Sequence, residues 1–195
     1  MKKLVVTAVF SACAFSASAA GLKVMSSLDY DSANAGQFFR SQYELSAGVA
    51  TMTRFGQVDG LLVSRQLNSV GRDEALGFEV GYSNGLKVGK VSLNGRAAYG
   101  RLNQVDTTGG GFSGNSQYYS LAAEAVVPVT SKVNGYVGFR HRNGLTSETP
   151  ATSNRYSLGG EMALGKKTAV RLGYSHTRSA GEVFNGLSTS VNYKF

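Results

Sequence analysis

The sequence contains no tryptophan, two prolines (Pro128 and Pro150), two histidines (His141 and His176) and a single cysteine, Cys13, near its start. Cys13 falls in a segment that reads as cleaved, so the mature chain is expected to carry no thiol. Disulfides, thiol redox chemistry and thiolate metal sites are excluded with it. Neither histidine has a second histidine at metal-ligand spacing. No later stretch offers the roughly 20 consecutive apolar residues of a membrane helix, so a chain like this enters a membrane as strands or not at all. A basic stripe is also lacking. The formal charge is +8, about +6 without Lys2 and Lys3, and it is spread one residue per strand or turn, which argues against a nucleic-acid surface.

The first residues have the pattern of an export signal. Lys2 and Lys3 precede an apolar stretch from Leu4 to Phe15, and Ala17-Ser18-Ala19 or Ser18-Ala19-Ala20 supplies a small-residue cleavage site. The expected division is a signal peptide over 1–20 and one domain over 21–195, about 175 residues being enough for one domain. A lipoprotein reading, cleaved before Cys13, competes for the same segment. It leaves a very short apolar region with Phe10 where leucine is usual.

What the chain has in quantity is glycine, 25 residues, together with ten tyrosines and ten phenylalanines, set in a two-residue alternation that is the period of a β-strand. Alternation bounded by turn signals divides it into ten candidate strands, near 22–31, 38–52, 57–67, 74–83, 90–102, 117–128, 133–142, 154–164, 168–178 and 187–195. Clear apolar rows are Leu76, Phe78, Val80, Tyr82 and Val170, Leu172, Tyr174. Eight strands is the alternative, because 57–67 alternates poorly at Leu61-Leu62 and 22–31 is weakly apolar. Connections at Arg54-Phe55-Gly56, 84–89, 129–132 and 165–167 read as tight, and those at 103–116, 143–153 and 179–186 as longer, with Phe112 and Phe184 their large apolar residues.

The last segment is the most telling. Leu187, Thr189, Val191, Tyr193 and Phe195 form one face, Ser188, Ser190, Asn192 and Lys194 the other. With the export signal, the loop asymmetry and the Tyr-Lys-Phe ending, the chain resembles the small outer-membrane barrels of Gram-negative bacteria, the class of the opacity proteins, outer-membrane protein X and the membrane domain of outer-membrane protein A. The resemblance implies an all-β, antiparallel up-and-down transmembrane β-barrel; the strand count makes it ten-stranded, and an even number with the short turns periplasmic puts both termini on that side. It implies that Tyr193 and Phe195 belong to a membrane-assembly signal read by the barrel-assembly machinery. Outer-membrane lipid and lipopolysaccharide are the implied surroundings, with an extracellular ligand at the loops as a further partner and a monomer as the implied state.

The other face of the strands carries the charges. A soluble barrel would turn apolar residues inward, whereas here Arg40, Glu44, Glu79, Arg96, Glu124, Arg140, Glu161 and Arg171 alternate with glycines such as Gly77, Gly100 and Gly173. Lys23, Asp29 and Arg142 share this face. Charge beside glycine on the inner face makes sense only where the apolar face meets lipid. An unpaired buried ion costs several kcal/mol, so an interior salt-bridge network is expected, with Glu161 opposite Arg171, Glu79 near Arg96 and Glu124 near Arg140. Such a network would close the lumen; the runner-up is a narrow pore whose arginines favour anions.

Catalytic signals are few. Lipid A deacylase barrels use a His followed two residues later by Ser, and Asn143 and Arg178 stand at those positions here. Gly109-Gly110-Gly111 is followed by neither Lys nor a helix signal, which leaves it a loop and not a phosphate cradle. The expectation is a non-enzymatic barrel without cofactor or metal, presenting loops for surface interaction or envelope integrity. A small porin-like channel is the alternative, and an envelope-lipid enzyme a remote one.

Overall fold

The computed structural model describes residues 22–35, 38–68, 72–105, 112–145, 152–179 and 181–195, and their side chains except those of 33–35, 38–40, 67–68, 72–73, 105 and 112–113. The expected signal segment with Cys13, the Gly109-Gly110-Gly111 tract and the side chains of Arg40 and Phe112 lie outside the described residues. Ten strands follow one another: β1 Leu22–Ala35, β2 Phe38–Thr53, β3 Gly56–Asn68, β4 Arg72–Val88, β5 Val91–Val105, β6 Phe112–Pro128, β7 Val133–Gly144, β8 Ser153–Ala163, β9 Thr168–Ser179 and β10 Glu182–Lys194. Each pairs antiparallel with its sequence neighbour, and β1 pairs with β10 from Lys23↔Lys194 to Ser32↔Asn185, so the sheet closes on itself. Closure leaves no edge strand with unpaired backbone groups, a requirement for any sheet that meets lipid.

Ten strands replaces the eight-strand alternative, and β3 shows why its alternation was hard to read. Val58 and Leu62 are exposed on the outer face, while Leu61 and Val63 point inward. There Val63, Leu102 and Tyr118 form an apolar cluster with Leu61 and Ala75 against it. The strand is apolar on both faces, so its neighbouring leucines serve two different environments.

One rim holds the turns at 54–55, 89–90, 129–132 and 164–167 together with Leu22 and Phe195, whose amide donates to the Leu22 carbonyl at 3.1 Å. Gly89 opens a two-residue turn at φ 60°, the left-handed region that a residue without Cβ enters at little cost and that hairpins of this length require. The β2–β3 turn is fastened by the Tyr82 hydroxyl, which donates to the Phe55 carbonyl at 2.5 Å, and by Asn84 Nδ2 at 2.9 Å.

At the opposite rim, two connections expected to be long are shorter. β9 runs to Ser179 and β10 begins at Glu182, which takes most of the expected 179–186 loop into strands, and β5 and β6 reach well into 103–116. Phe184 is a buried strand residue, 6% exposed. The 84–89 connection likewise belongs to β4 as far as Val88, paired with Val91. The misreading has one cause. Gly, Ser and Asn also make up the inward row of these strands, so a polar, flexible composition does not by itself mark a loop.

The distribution of side chains is inverted relative to a soluble protein. Leu172 and Leu187 are more than 60% exposed, whereas Asp31, Glu44, Asp59, Glu79, Arg142 and Arg155 are buried. Nine of the ten strands, from 12 residues in β7 to 17 in β6, exceed the roughly 9–11 that cross a bilayer when tilted, so the barrel is taller than an apolar band requires.

Candidate functional site

Space in the lumen comes from glycine, and tyrosine fills part of it. Tyr118 stands opposite Gly100, and a Cβ there would collide with its ring; Tyr136 stands opposite Gly159 and lies over Gly173 in the same way. Aromatic rings laid over glycines on facing strands repair the packing that a missing side chain would leave. Both rings also carry a cation: the Arg142 guanidinium lies 4.5 Å from the Tyr118 centroid and that of Arg171 4.9 Å from Tyr136.

Glu44 on β2 is the hub of the larger charge network. It accepts from Arg65 at 2.8 Å and from Arg142 at 3.0 and 3.3 Å, and Arg140 Nη1 lies 3.6 Å from its Oε1. In the closed order β2 and β7 stand five strands apart, on opposite walls of a ten-strand ring, so Arg142 and Glu44 bridge the full width of the lumen. From there the network continues to Glu79, which sits 3.8 Å from Arg142, takes the Tyr118 hydroxyl at 2.9 Å and pairs with Arg96 at 2.5 Å. Arg96 also binds both oxygens of Asp59.

A second group lies toward β6, β8 and β9. Arg171 donates to Glu124 at 2.6 and 3.1 Å and to Glu161 at 2.6 Å. Arg155 spans from β8 to Asp29 on β1 through two contacts of 2.9 Å, and Ser175 donates to Asp31 at 2.7 Å. Two like-charged pairs sit side by side on adjacent strands, Asp29↔Glu44 and Arg140↔Arg155. Like charges directly opposite one another destabilise a sheet, and here the compensation comes from across the lumen, since β1–β2 supplies the acids and β7–β8 the arginines. The pairing therefore rewards the closed barrel and not any single hairpin.

Between the two groups is a cavity of about 280 Å³. Its wall carries the side chains of Ser27, Ser157, Ser188 and Ser190, and the charged residues Asp29, Glu124, Arg140, Arg155 and Arg171. Beside the cavity the lumen is filled by Arg142, Glu44, Glu79, Tyr118 and the Val63 cluster.

Of the residues expected in the lumen, Glu44, Glu79, Arg96, Glu124, Arg140, Glu161 and Arg171 all face inward. Glu161 meets Arg171 and Glu79 meets Arg96. Glu124, however, takes Arg171 in place of Arg140, whose described carboxylate partner is Glu44. Cross-strand register alone favours near neighbours, and long arginines reach several strands across a narrow lumen instead. For the same reason sequence reading omitted Asp59, Arg65 and Arg155. All three share the inward parity of their strands, and that parity was the available signal.

The outer face carries aromatic pairs: Tyr30 with Tyr43 at 4.9 Å, Phe139 with Tyr156 at 5.2 Å, and Tyr193 edge-on to Phe195 at 4.8 Å on the turn rim. His141 and His176 are also on outward rows, each within 2.8 Å of an asparagine oxygen, Asn154 and Asn185. Among the described residues no group of three or more His, Cys, Asp and Glu is arranged to hold a metal ion.

No protein-family model matches the chain, and no curated protein matches it in sequence. Solved structures do. The translocator domain of the autotransporter NalP from Neisseria meningitidis aligns over 97% of this chain and 98% of its own, with a TM-score of 0.54 and 13% identity. The beta domain of the Bordetella autotransporter Brka aligns over 90% and 99%, with a TM-score of 0.55 and 13% identity. An outer membrane channel from Pseudomonas putida F1 aligns over 91% and 96%, with a TM-score of 0.53 and 10% identity. At such identities the likeness is one of fold: this chain has the closed antiparallel architecture of outer-membrane β-barrels.

Proposed function

We propose that the chain is a monomeric, non-enzymatic outer-membrane protein with both termini periplasmic, whose barrel is closed to solutes by its own charges. The rim opposite the turns at 54–55, 89–90, 129–132 and 164–167 then faces outward, for surface interaction or envelope integrity. The bridge from Arg142 to Glu44 across the whole lumen, with Arg142 only 2% exposed, carries this reading. A side chain spanning that width, clasped by two carboxylates and an aromatic face, obstructs the path a solute would take. In the same reading Tyr193 and Phe195, on the outer face of the last strand, are available to the barrel-assembly machinery.

Planar-bilayer recording tests it. The inserted protein is expected to give no discrete conductance steps in symmetric salt. Stable ohmic openings from the unaltered protein would sink the closed-lumen reading. They would favour a small-solute channel, for which the serine-lined cavity is the supporting feature.

A further inference from the structure

The serine-lined chamber has a charge imbalance on its wall. Its two carboxylates are both committed: Asp29 to Arg155 through two contacts of 2.9 Å, and Glu124 to Arg171 through hydrogen bonds of 2.6 and 3.1 Å. The third arginine on the wall is Arg140. Among the described residues its carboxylate contact is Glu44 at 3.6 Å, longer than a hydrogen bond, and Glu44 is already clasped by Arg65 and Arg142. The Arg140 Nε is buried and has no hydrogen-bond partner. Asp59, Glu79 and Glu44 thus share four guanidiniums, those of Arg96, Arg142, Arg65 and Arg140, and Arg140 is the one left over.

With one long carboxylate contact and a side chain 27% exposed to the lumen, the Arg140 guanidinium has hydrogen-bonding capacity to offer a guest. Alongside Ala122, Gly138, Phe139 and Tyr136, the same wall carries four serines, Ser27, Ser157, Ser188 and Ser190, each of which can turn an O–H toward a guest. Guanidinium and serine O–H donors around one space make an anion site. At about 280 Å³ the chamber has room for a small anion with several waters, each water taking about 30 Å³. We infer that the chamber binds a small monovalent anion, halide or short carboxylate in size, against Arg140 and the serine hydroxyls. The inference rests on the closed-lumen reading, since an open pore would pass the anion and not retain it.

Bromide is the probe. Crystals of the detergent-solubilised protein soaked in sodium bromide should show an anomalous peak inside the chamber, within hydrogen-bonding reach of Arg140. The peak should vanish in Arg140→Gln and persist in the surface control Arg178→Gln. Should Arg140→Gln fail to fold, Ser188→Leu supplies the second arm: it fills the chamber without changing any charge and should also remove the peak. No peak in the unaltered protein, or a peak unchanged by either chamber substitution, overturns the inference. Bilayer recording on the same preparation separates the two readings. A silent barrel without the peak defeats the anion site alone, whereas a conducting barrel defeats the closed lumen on which it stands.

Discussion

Glu44 carries more of the lumen than any other side chain, because three arginines converge on it. Removing one partner of a buried ion pair costs about 3–5 kcal/mol, since the other charge is stranded. Glu44→Gln should therefore lower stability by about that much, read as the shift in denaturant unfolding of the reconstituted protein. A loss below 1 kcal/mol would mean that the arginines find other partners. The glycine beneath Tyr118 is the other sensitive point. Gly100→Val forces the ring off its seat and should cost about 1–3 kcal/mol through overpacking, whereas Gly60→Val, on the outer face with nothing within 4 Å of its Cβ, should be nearly neutral. Equal effects of the two would contradict the assigned parity. Glu44 and Gly100 were both readable as inward from alternation alone. That Tyr118 covers Gly100 was not, because tyrosine suits either face of a barrel strand.

At the scale of the strand, legibility followed the contrast between the two faces. β9 alternates Val170, Leu172, Tyr174 against Arg171, Gly173, Ser175, and its expected 168–178 extent agrees closely with Thr168–Ser179. β3 blurs, because Leu61 and Val63 join an apolar cluster inside the lumen. The start of β10 was hidden for a different reason: Asn185 and Gly186 look like a loop until their registers with His176 and Ser175 are known. If the outer rows face hydrocarbon, Leu172→Arg and Val191→Arg should each destabilise the protein by about 2–4 kcal/mol near the bilayer midplane and less toward the rims. Folding measured in lipid vesicles decides this, with Ser190→Asn, on the inner row beside Val191, as the control expected to change little. Unaltered insertion and stability in both arginine variants would remove the lipid-facing assignment of those strands.

The whole molecule shows how the charges and the closure depend on each other. Hairpin ladders β1–β2 and β7–β8 each set like charges side by side, so neither gains from its charged residues until the far wall arrives. Acid on β1–β2 against arginine on β7–β8 then favours one closed arrangement. A sheet closed in another register would strand several ions at once, and avoidance of that outcome is a physical reason for so many charges in one lumen. The same arrangement implies coupling: a double-mutant cycle of Glu44→Gln with Arg142→Gln should show an interaction of about 0.5–3 kcal/mol, although the residues lie on opposite walls. It also identifies what obstructs the path. Tyr118 and Arg142 are fully buried and stack on each other in the lumen, so truncating both to alanine should convert a silent barrel into one with discrete conductance steps. The steps should show little preference for the sign of the ion, because Arg65, Arg96 and Arg140 then face Glu44, Asp59 and Glu79 in equal number. A double variant that inserts, resists heat as a folded barrel and stays silent would show that closure lies elsewhere, with the apolar cluster around Val63 and Leu102 the next side chains to shorten.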